Sequence, residues 1–249
     1  GAIAFRYIEH RLIATAGETL AQSAAEVSDK VDRFLIERHG DGLMMARTFS
    51  VQPYNREFQA AYIDGVKTAY PDYLWIGATN EQGQAVVATD PATVGRDYSA
   101  ERWFQSVRDG LMVHMGDVEP FAVMGGPDAI AVTARITGSS GEFLGVVTTR
   151  VAIPGLENIM TGTLRSFQQR EGFWGALEYQ FLTEKGVAFI DSDLEHKGHV
   201  NLKQLRLPSA LASEGSLSNY VEEEHLRRHV QVITGYARTS ARRGFENIH

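Results

Sequence analysis

The chain has no cysteine among its 249 residues, which excludes disulfides, thiolate nucleophiles and thiolate metal sites. A cysteine-free chain suits an oxidising compartment. No run of 18 apolar residues occurs, so no segment reads as a membrane-spanning helix, and no stretch has the order of a signal peptide. Positive charge is in the minority: 24 Lys and Arg stand against 31 Asp and Glu, a formal net charge of −7. No nucleic-acid partner is expected, because such partners are held by neutralising their phosphates. Catalytic motifs are missing too. There is no Gly-x-Ser-x-Gly elbow, no phosphate-binding glycine loop and no Gly-x-Gly-x-x-Gly, and no carboxylates are placed by motif as an acid and base pair. The expectation is a protein without enzymatic activity or cofactor. The first residue is not Met and the sequence ends at Glu246-Asn247-Ile248-His249, from which we expect a piece of a longer protein.

What is present is ordinary globular material, 43% apolar and 22% charged. Residues 2–38 read as one long helix, with an apolar seam at Leu20, Ala24, Val27, Val31 and Phe34. The seam suits either a sheet beneath it or a second copy of the helix. His39-Gly40-Asp41-Gly42 is expected to end or kink this helix, with a short helix resuming over 43–49. Asn55 is placed to cap the next helix, whose apolar face is Phe58, Ala61, Tyr62, Gly65 and Ala69, and Pro71 closes it.

A strand from Tyr73, a turn at Glu81-Gln82-Gly83, a second strand and the loop Gly95-Arg96-Asp97-Tyr98 then deliver Trp103 and Phe104 into a short helix. Residues 113–119 read as extended. Residues 129–136 alternate, and after a turn at Gly138-Ser139-Ser140-Gly141 a last strand puts Val146, Thr148 and Arg150 on one face. These segments make an antiparallel sheet of about five strands. Pro154 opens another helix. The Glu81 to Asp90 pattern then returns 103 residues later as Glu184 to Asp193, a polar turn with glycine at its tip followed by an apolar strand, which points to a duplicated unit. A further hairpin is expected from 216–222 and 229–237.

In their order and spacing, the long opening helix, the Tyr73 to Asp90 hairpin, Gly95-Arg96-Asp97-Tyr98 before Trp103-Phe104, Gly145-Val146-Val147 and the closing Gly235-Tyr236-Ala237-Arg238 resemble the extracytoplasmic double Cache sensor region of bacterial transmembrane receptors: chemoreceptors, sensor histidine kinases and diguanylate cyclases. The resemblance implies an α+β fold in which a long N-terminal helix packs along two stacked PAS-like modules, each with an antiparallel sheet of about five strands. The divisions are 1–50 for the helix, 51–153 for the membrane-distal module, 154–170 for a linker helix and 171–249 for the membrane-proximal module. It implies a small-molecule ligand in the distal module, a periplasmic or extracellular location, membrane attachment through flanking helices outside this chain, and a homodimer through the N-terminal helix. The alternative is a ligand-independent dimerisation or interaction module.

Relatives of this kind that bind amino acids carry an arginine three residues before the aromatic at Phe104 and an aspartate at the end of the strand entering the linker helix. Here Glu101 stands at the first position, with Arg102 displaced by one, and Arg150 stands at the second. Arg150 and Arg135 facing one pocket would suit a carboxylate or another anion; alternatively Glu101 and Arg150 pair with each other. Trp75, Tyr98, Trp103 and Phe104 are candidate pocket walls, though each could equally be core. Asp117 and Thr133 would add polar contacts if their strands face inward. No metal site is expected. Asp191-Ser192-Asp193-Leu194-Glu195 is similar to the start of a calcium loop, but His196 and Leu202 stand where glycine and a bidentate Glu are needed. His225 and His229 have helical spacing but read as a solvated strand end.

Overall fold

A computed structural model of the chain describes residues 2–121, 125–171, 177–192 and 200–240. Helix α1 (Ala2–Val51) runs for 50 residues without a break, about 75 Å at 1.5 Å per residue. The expected stop at residues 39–42 and the separate helix over 43–49 are thus corrected. The reason is tertiary. Gly42 is buried, and a Cβ there would lie 3.2 Å from Val132 Cγ1 and 3.6 Å from Ala134 Cβ; the glycine lets the helix close on a sheet. Asp41 is held at the same contact. Tyr73 Oη donates to Asp41 Oδ2 (2.6 Å), Arg38 Nε pairs with the same oxygen at 3.0 Å, and the Arg38 guanidinium lies over the Phe34 and Tyr73 rings. Burial, then the bond to Asp41, pushes the Tyr73 phenol up.

Helix α2 (Arg56–Ala69) starts as expected, with Asn55 Oδ1 accepting from the Phe58 amide at 3.0 Å. Its face differs. Ala61, Gly65 and Ala69 are exposed, and Gln59 and Ile63 are buried instead. Gln59 tolerates burial because Nε2 donates to the Gln52 and Pro53 carbonyls while Oε1 accepts from Arg56.

Strands β1 (Tyr73–Thr79), β2 (Ala85–Ala88), β3 (Val113–Pro120), β4 (Asp128–Thr137) and β5 (Phe143–Ala152) form one antiparallel sheet in the order β2-β1-β5-β4-β3. The short helix α3 (Arg102–Arg108) lies on one face, with Trp103, Phe104 and Val107 buried. Helix α1 lies on the other, against Val132 and Ala134, with Ser50 Oγ accepting from the Thr137 amide.

The chain divides into two compact units: residues 33–155 with 240–249, and residues 1–32 with 156–239. The second contains helix α4 from residue 156 (α4 is Pro154–Glu171), strands β6 (Gln180–Leu182) and β7 (Ala188–Asp191), helix α5 (Pro208–Ala212), and strands β8 (Ser218–Glu224) and β9 (Gln231–Ala237). Among the described residues its strands pair as two two-stranded ladders, β6-β7 and β8-β9, rather than one sheet of about five. Val27 and Val31 of the seam are 3% and 5% exposed within the single chain, and Lys30 Nζ donates to Thr163 Oγ1 at 2.9 Å. That part of the seam is therefore interior. Residues 193–195 of the calcium-like run lie outside the described residues. His225 and His229 sit at the β8-β9 turn, bonded to Glu178 and Glu224 respectively.

The duplication reaches further than its sequence. Gly83 and Gly186 both turn with left-handed φ, +92° and +89°, which favours glycine. Each hairpin then receives a returning segment in the same way. Ala85 N bonds Arg96 O and Tyr98 N bonds Gly83 O; Ala188 N bonds Val200 O and Leu202 N bonds Gly186 O. Leu202 thus occupies in the second copy the place that Tyr98 holds in the first.

Gly40 and Gly42 of α1 should respond oppositely. Gly40→Ala, with nothing within 4 Å of the new methyl, is expected to raise stability by about 0.5–1 kcal/mol. Gly42→Val should lower it by about 1–3 kcal/mol through overpacking against Val132. Urea unfolding of both variants measures the difference.

Candidate functional site

Strand β5 alternates, so Val146, Thr148 and Arg150 point to the α3 face and Val147, Thr149 and Val151 to the α1 face. Register then sets neighbours. Arg150 lies opposite Trp75 on β1 and Ala131 on β4, and Thr148 lies opposite Thr133. Trp75 folds its indole back over Gly77, where a Cβ would be 2.4 Å from the ring. The indole Nε1 donates to Thr93 Oγ1 at 3.1 Å, and Thr93 donates on to the Asp90 carbonyl. The loop carrying Tyr98 is laid along β2 by the backbone bonds described above. Trp103 follows in the first turn of α3.

These elements enclose the Arg150 side chain in aromatic rings. The guanidinium carbon lies 5.1 Å from the Trp103 and Phe121 ring centres and 5.7 Å from that of Trp75. The rings also touch one another in sequence, Phe121 with Trp75 (5.5 Å), Trp75 with Tyr98 (6.2 Å) and Tyr98 with Trp103 (5.5 Å). Arg150 Nη1 donates to Thr148 Oγ1 (2.7 Å) and to the Thr149 carbonyl (2.8 Å), and Thr148 Oγ1 is 2.7 Å from Thr133 Oγ1.

The electrostatics are unbalanced. Arg150 is 7% exposed, yet among the described residues it forms no ion pair with a carboxylate. Burial pulls its pKa down to about 10, opposed from a distance by Glu101, Tyr98 and Glu119, so it stays cationic at neutral pH. A buried charge without a counter-charge is strongly destabilising. Cation–π contact recovers part of that cost. Burial also raises the Tyr98 phenol, against the charges of Arg96 and Arg150, and among the described residues the buried Tyr98 Oη has no hydrogen-bond partner.

The structure thus brings together Trp75, Tyr98, Trp103, Thr133 and Arg150. It separates the others. Glu101 is exposed at the N-terminal boundary of α3 and does not pair with Arg150, and Arg102 is exposed beside it. Phe104 is core, packed with Val107, Val146 and Phe143. Arg135 shares the face of Arg150 but not its surroundings. Its Nη1 donates to the Val107 and Arg108 carbonyls at the end of α3, and its guanidinium lies 4.7 Å from the Phe143 ring centre. That position completes a helix C-terminus. Asp117 is half-buried beside a bulge in β3, its Oδ1 accepting from the Val118 amide. Phe121 and Thr148 are the participants the sequence did not single out. Thr148 was legible from its alternation with Arg150; Phe121 gave no signal beyond following a strand. Two open clefts lie elsewhere, one of about 200 Å³ beside Tyr54, Arg56 and Gln82 and one of about 270 Å³ beside Glu178, Ser192 and Arg227.

No family model matches the chain, and no curated protein matches it. Solved structures do. The ligand-binding domain of the Campylobacter jejuni chemoreceptor Tlp3, in complex with L-norvaline, has a TM-score of 0.69 at 11% identity over 93% of this chain and 88% of that one. The sensor domain of the V. cholerae histidine kinase DctB gives 0.56 at 11% identity, with 90% of both chains covered. An extracellular ligand binding receptor from Desulfohalobium retbaense gives 0.65 at 12% identity over 88% of this chain, which spans only 38% of that receptor. The chain therefore has the fold of extracellular ligand-binding sensor domains of receptors, as the double Cache resemblance implies. No helix among the described residues is long and apolar enough to cross a membrane.

The Thr133–Thr148–Arg150 chain of hydrogen bonds should be felt in stability. Thr148→Val removes an acceptor from Arg150 and a partner from Thr133, and is expected to cost about 1–3 kcal/mol in urea unfolding.

Proposed function

We propose that the chain is the extracytoplasmic ligand-sensing domain of a transmembrane receptor. It is a non-enzymatic module that binds a small organic anion at Arg150, on the α3 face of the five-stranded sheet in the membrane-distal unit. The observation that carries this reading is a buried arginine, 7% exposed as a residue, that forms no ion pair with a carboxylate among the described residues. Such a charge weakens the fold unless a ligand supplies the missing negative charge. The aromatic walls support the same reading, because a dry surrounding strengthens the ion pair that a bound anion would make. Membrane attachment would come from helices outside this chain.

A second reading, self-association through α1 without need of a ligand, rests on Ile36, Met44 and Val51, which are 51%, 64% and 79% exposed. At about 100° per residue they fall within an arc of about 80°. Their occupant would be the same face of a second copy. Met44→Glu should then lower the dimer fraction in sedimentation velocity; a monomer at all concentrations before mutation refutes this reading.

Arg150→Met tests the first. Without ligand this variant is expected to be more stable than the parent by about 1 kcal/mol or more, because an uncompensated charge gives way to an apolar side chain. A saturating carboxylate, at about 100 times its Kd, should raise the parent's Tm by roughly 5–10 °C and leave Arg150→Met unmoved. If no organic or inorganic anion shifts the parent, the sensing reading is wrong.

A further inference from the structure

Three observations at the aromatic enclosure restrict what an anion there can be. The first is charge. Among the described residues Arg150 is the single buried cation of the site: Arg135 is committed to the end of α3, and Arg96 and Arg102 are exposed. Glu101 and Glu119 act on the Arg150 charge from a distance and would repel a second negative charge on a ligand. Among the described residues no carboxylate is paired with Arg150, so nothing there is arranged to receive a ligand ammonium.

The second is hydrogen-bonding capacity. Arg150 uses only Nη1, for Thr148 and Thr149. Among the described residues its Nε–H and Nη2–H have no acceptor, and these two donors form the edge that grips one carboxylate bidentately. Tyr98, 9% exposed, has a hydroxyl with no partner among the described residues, and its ring stands between those of Trp75 and Trp103. A buried hydroxyl left unbonded loses free energy that a ligand acceptor would restore.

The third is the character of the walls. Trp75, Trp103 and Phe121 are each under a tenth exposed, and their only polar atoms are the two indole nitrogens, of which that of Trp75 is already bonded to Thr93. The rings are in mutual contact, so a bulky guest would have to part all of them.

Resting on the sensing role proposed above, we infer that the ligand is a monocarboxylate with a short apolar body and neither an amine nor a second acid, and that Tyr98 Oη donates to its carboxylate. Arg150 holds one charge, Tyr98 supplies a further donor, and the rings cover the apolar remainder.

The test is calorimetric titration of the parent and of Tyr98→Phe with sodium acetate, propionate, benzoate, succinate, L-alanine and nitrate at one ionic strength, with tryptophan fluorescence recorded alongside. At least one of the three monocarboxylates should bind at least about tenfold more tightly than succinate, L-alanine or nitrate, and should change the tryptophan emission. Tyr98→Phe should weaken that binding by about tenfold, the worth of one hydrogen bond to a charged group, while the ligand-free Tm is unchanged or higher. Loss of stability together with unchanged affinity would make Tyr98 structural and remove it from the site. Succinate, L-alanine or nitrate binding as tightly as the monocarboxylates would overturn the ligand class and leave the sensing role standing. Binding of none of the six would overturn the monocarboxylate inference, and the sensing role falls with it only if no other anion shifts the parent's Tm.

Discussion

Strand β5 is covered on both faces, and its two-residue alternation decides what every neighbouring element has to be. One set of side chains, Val147, Thr149 and Val151, must be met by the helices, which requires α1 to approach closely enough that position 42 carries no side chain. The other set, Val146, Thr148 and Arg150, faces α3. A single register slip on this strand would exchange the two sets and place the arginine beneath α1. The alternation and the ladder to β1 and β4 are therefore the constraint on which both the packing and the candidate site depend.

Within that constraint the α3 face keeps a cation that the fold itself does not neutralise. Hydroxyls from Thr148 and Thr133 and three aromatic rings soften its environment without cancelling its charge. On the proposed sensing role, stability and recognition would pull against each other here. The second copy of the hairpin shows the alternative. It retains the backbone route, down to the same returning hydrogen bonds, but has Leu202, 2% exposed, where the first copy has Tyr98. Repetition preserved the scaffold, and the aromatic enclosure belongs to the first copy.

Much of this was legible in the residues. The hairpin glycines, the Asn55 cap, the alternation of β4 and β5 and the grouping of Trp75, Tyr98, Trp103 and Arg150 follow from turn chemistry and periodicity. What sequence pattern misjudged were places where a distant partner outweighed a local preference. Gly40 and Gly42 carry the mark of a helix end, but a weak local propensity yields to the sheet contact and to the Tyr73–Asp41 bond. Gln59 is polar by type and interior by virtue of its three partners. Arg135 on β4 and Arg150 on β5 share a face of the sheet, yet their heights along the strands, set by register, separate them. Phe121 reaches the enclosure from a loop, where no period exists to announce it.

Trp75 and Gly77 form a unit with an evolutionary consequence. The indole can lie flat along β1 only because position 77 presents a hydrogen atom, and any Cβ there would fall 2.4 Å from the ring. Neither position can drift alone. A lineage that acquires a side chain at 77 must surrender the tryptophan, and one that trades the tryptophan for a smaller residue loses the reason to keep the glycine. Correlated change at these two sites across descendants of this chain would mark where the lining of the enclosure has been rewritten.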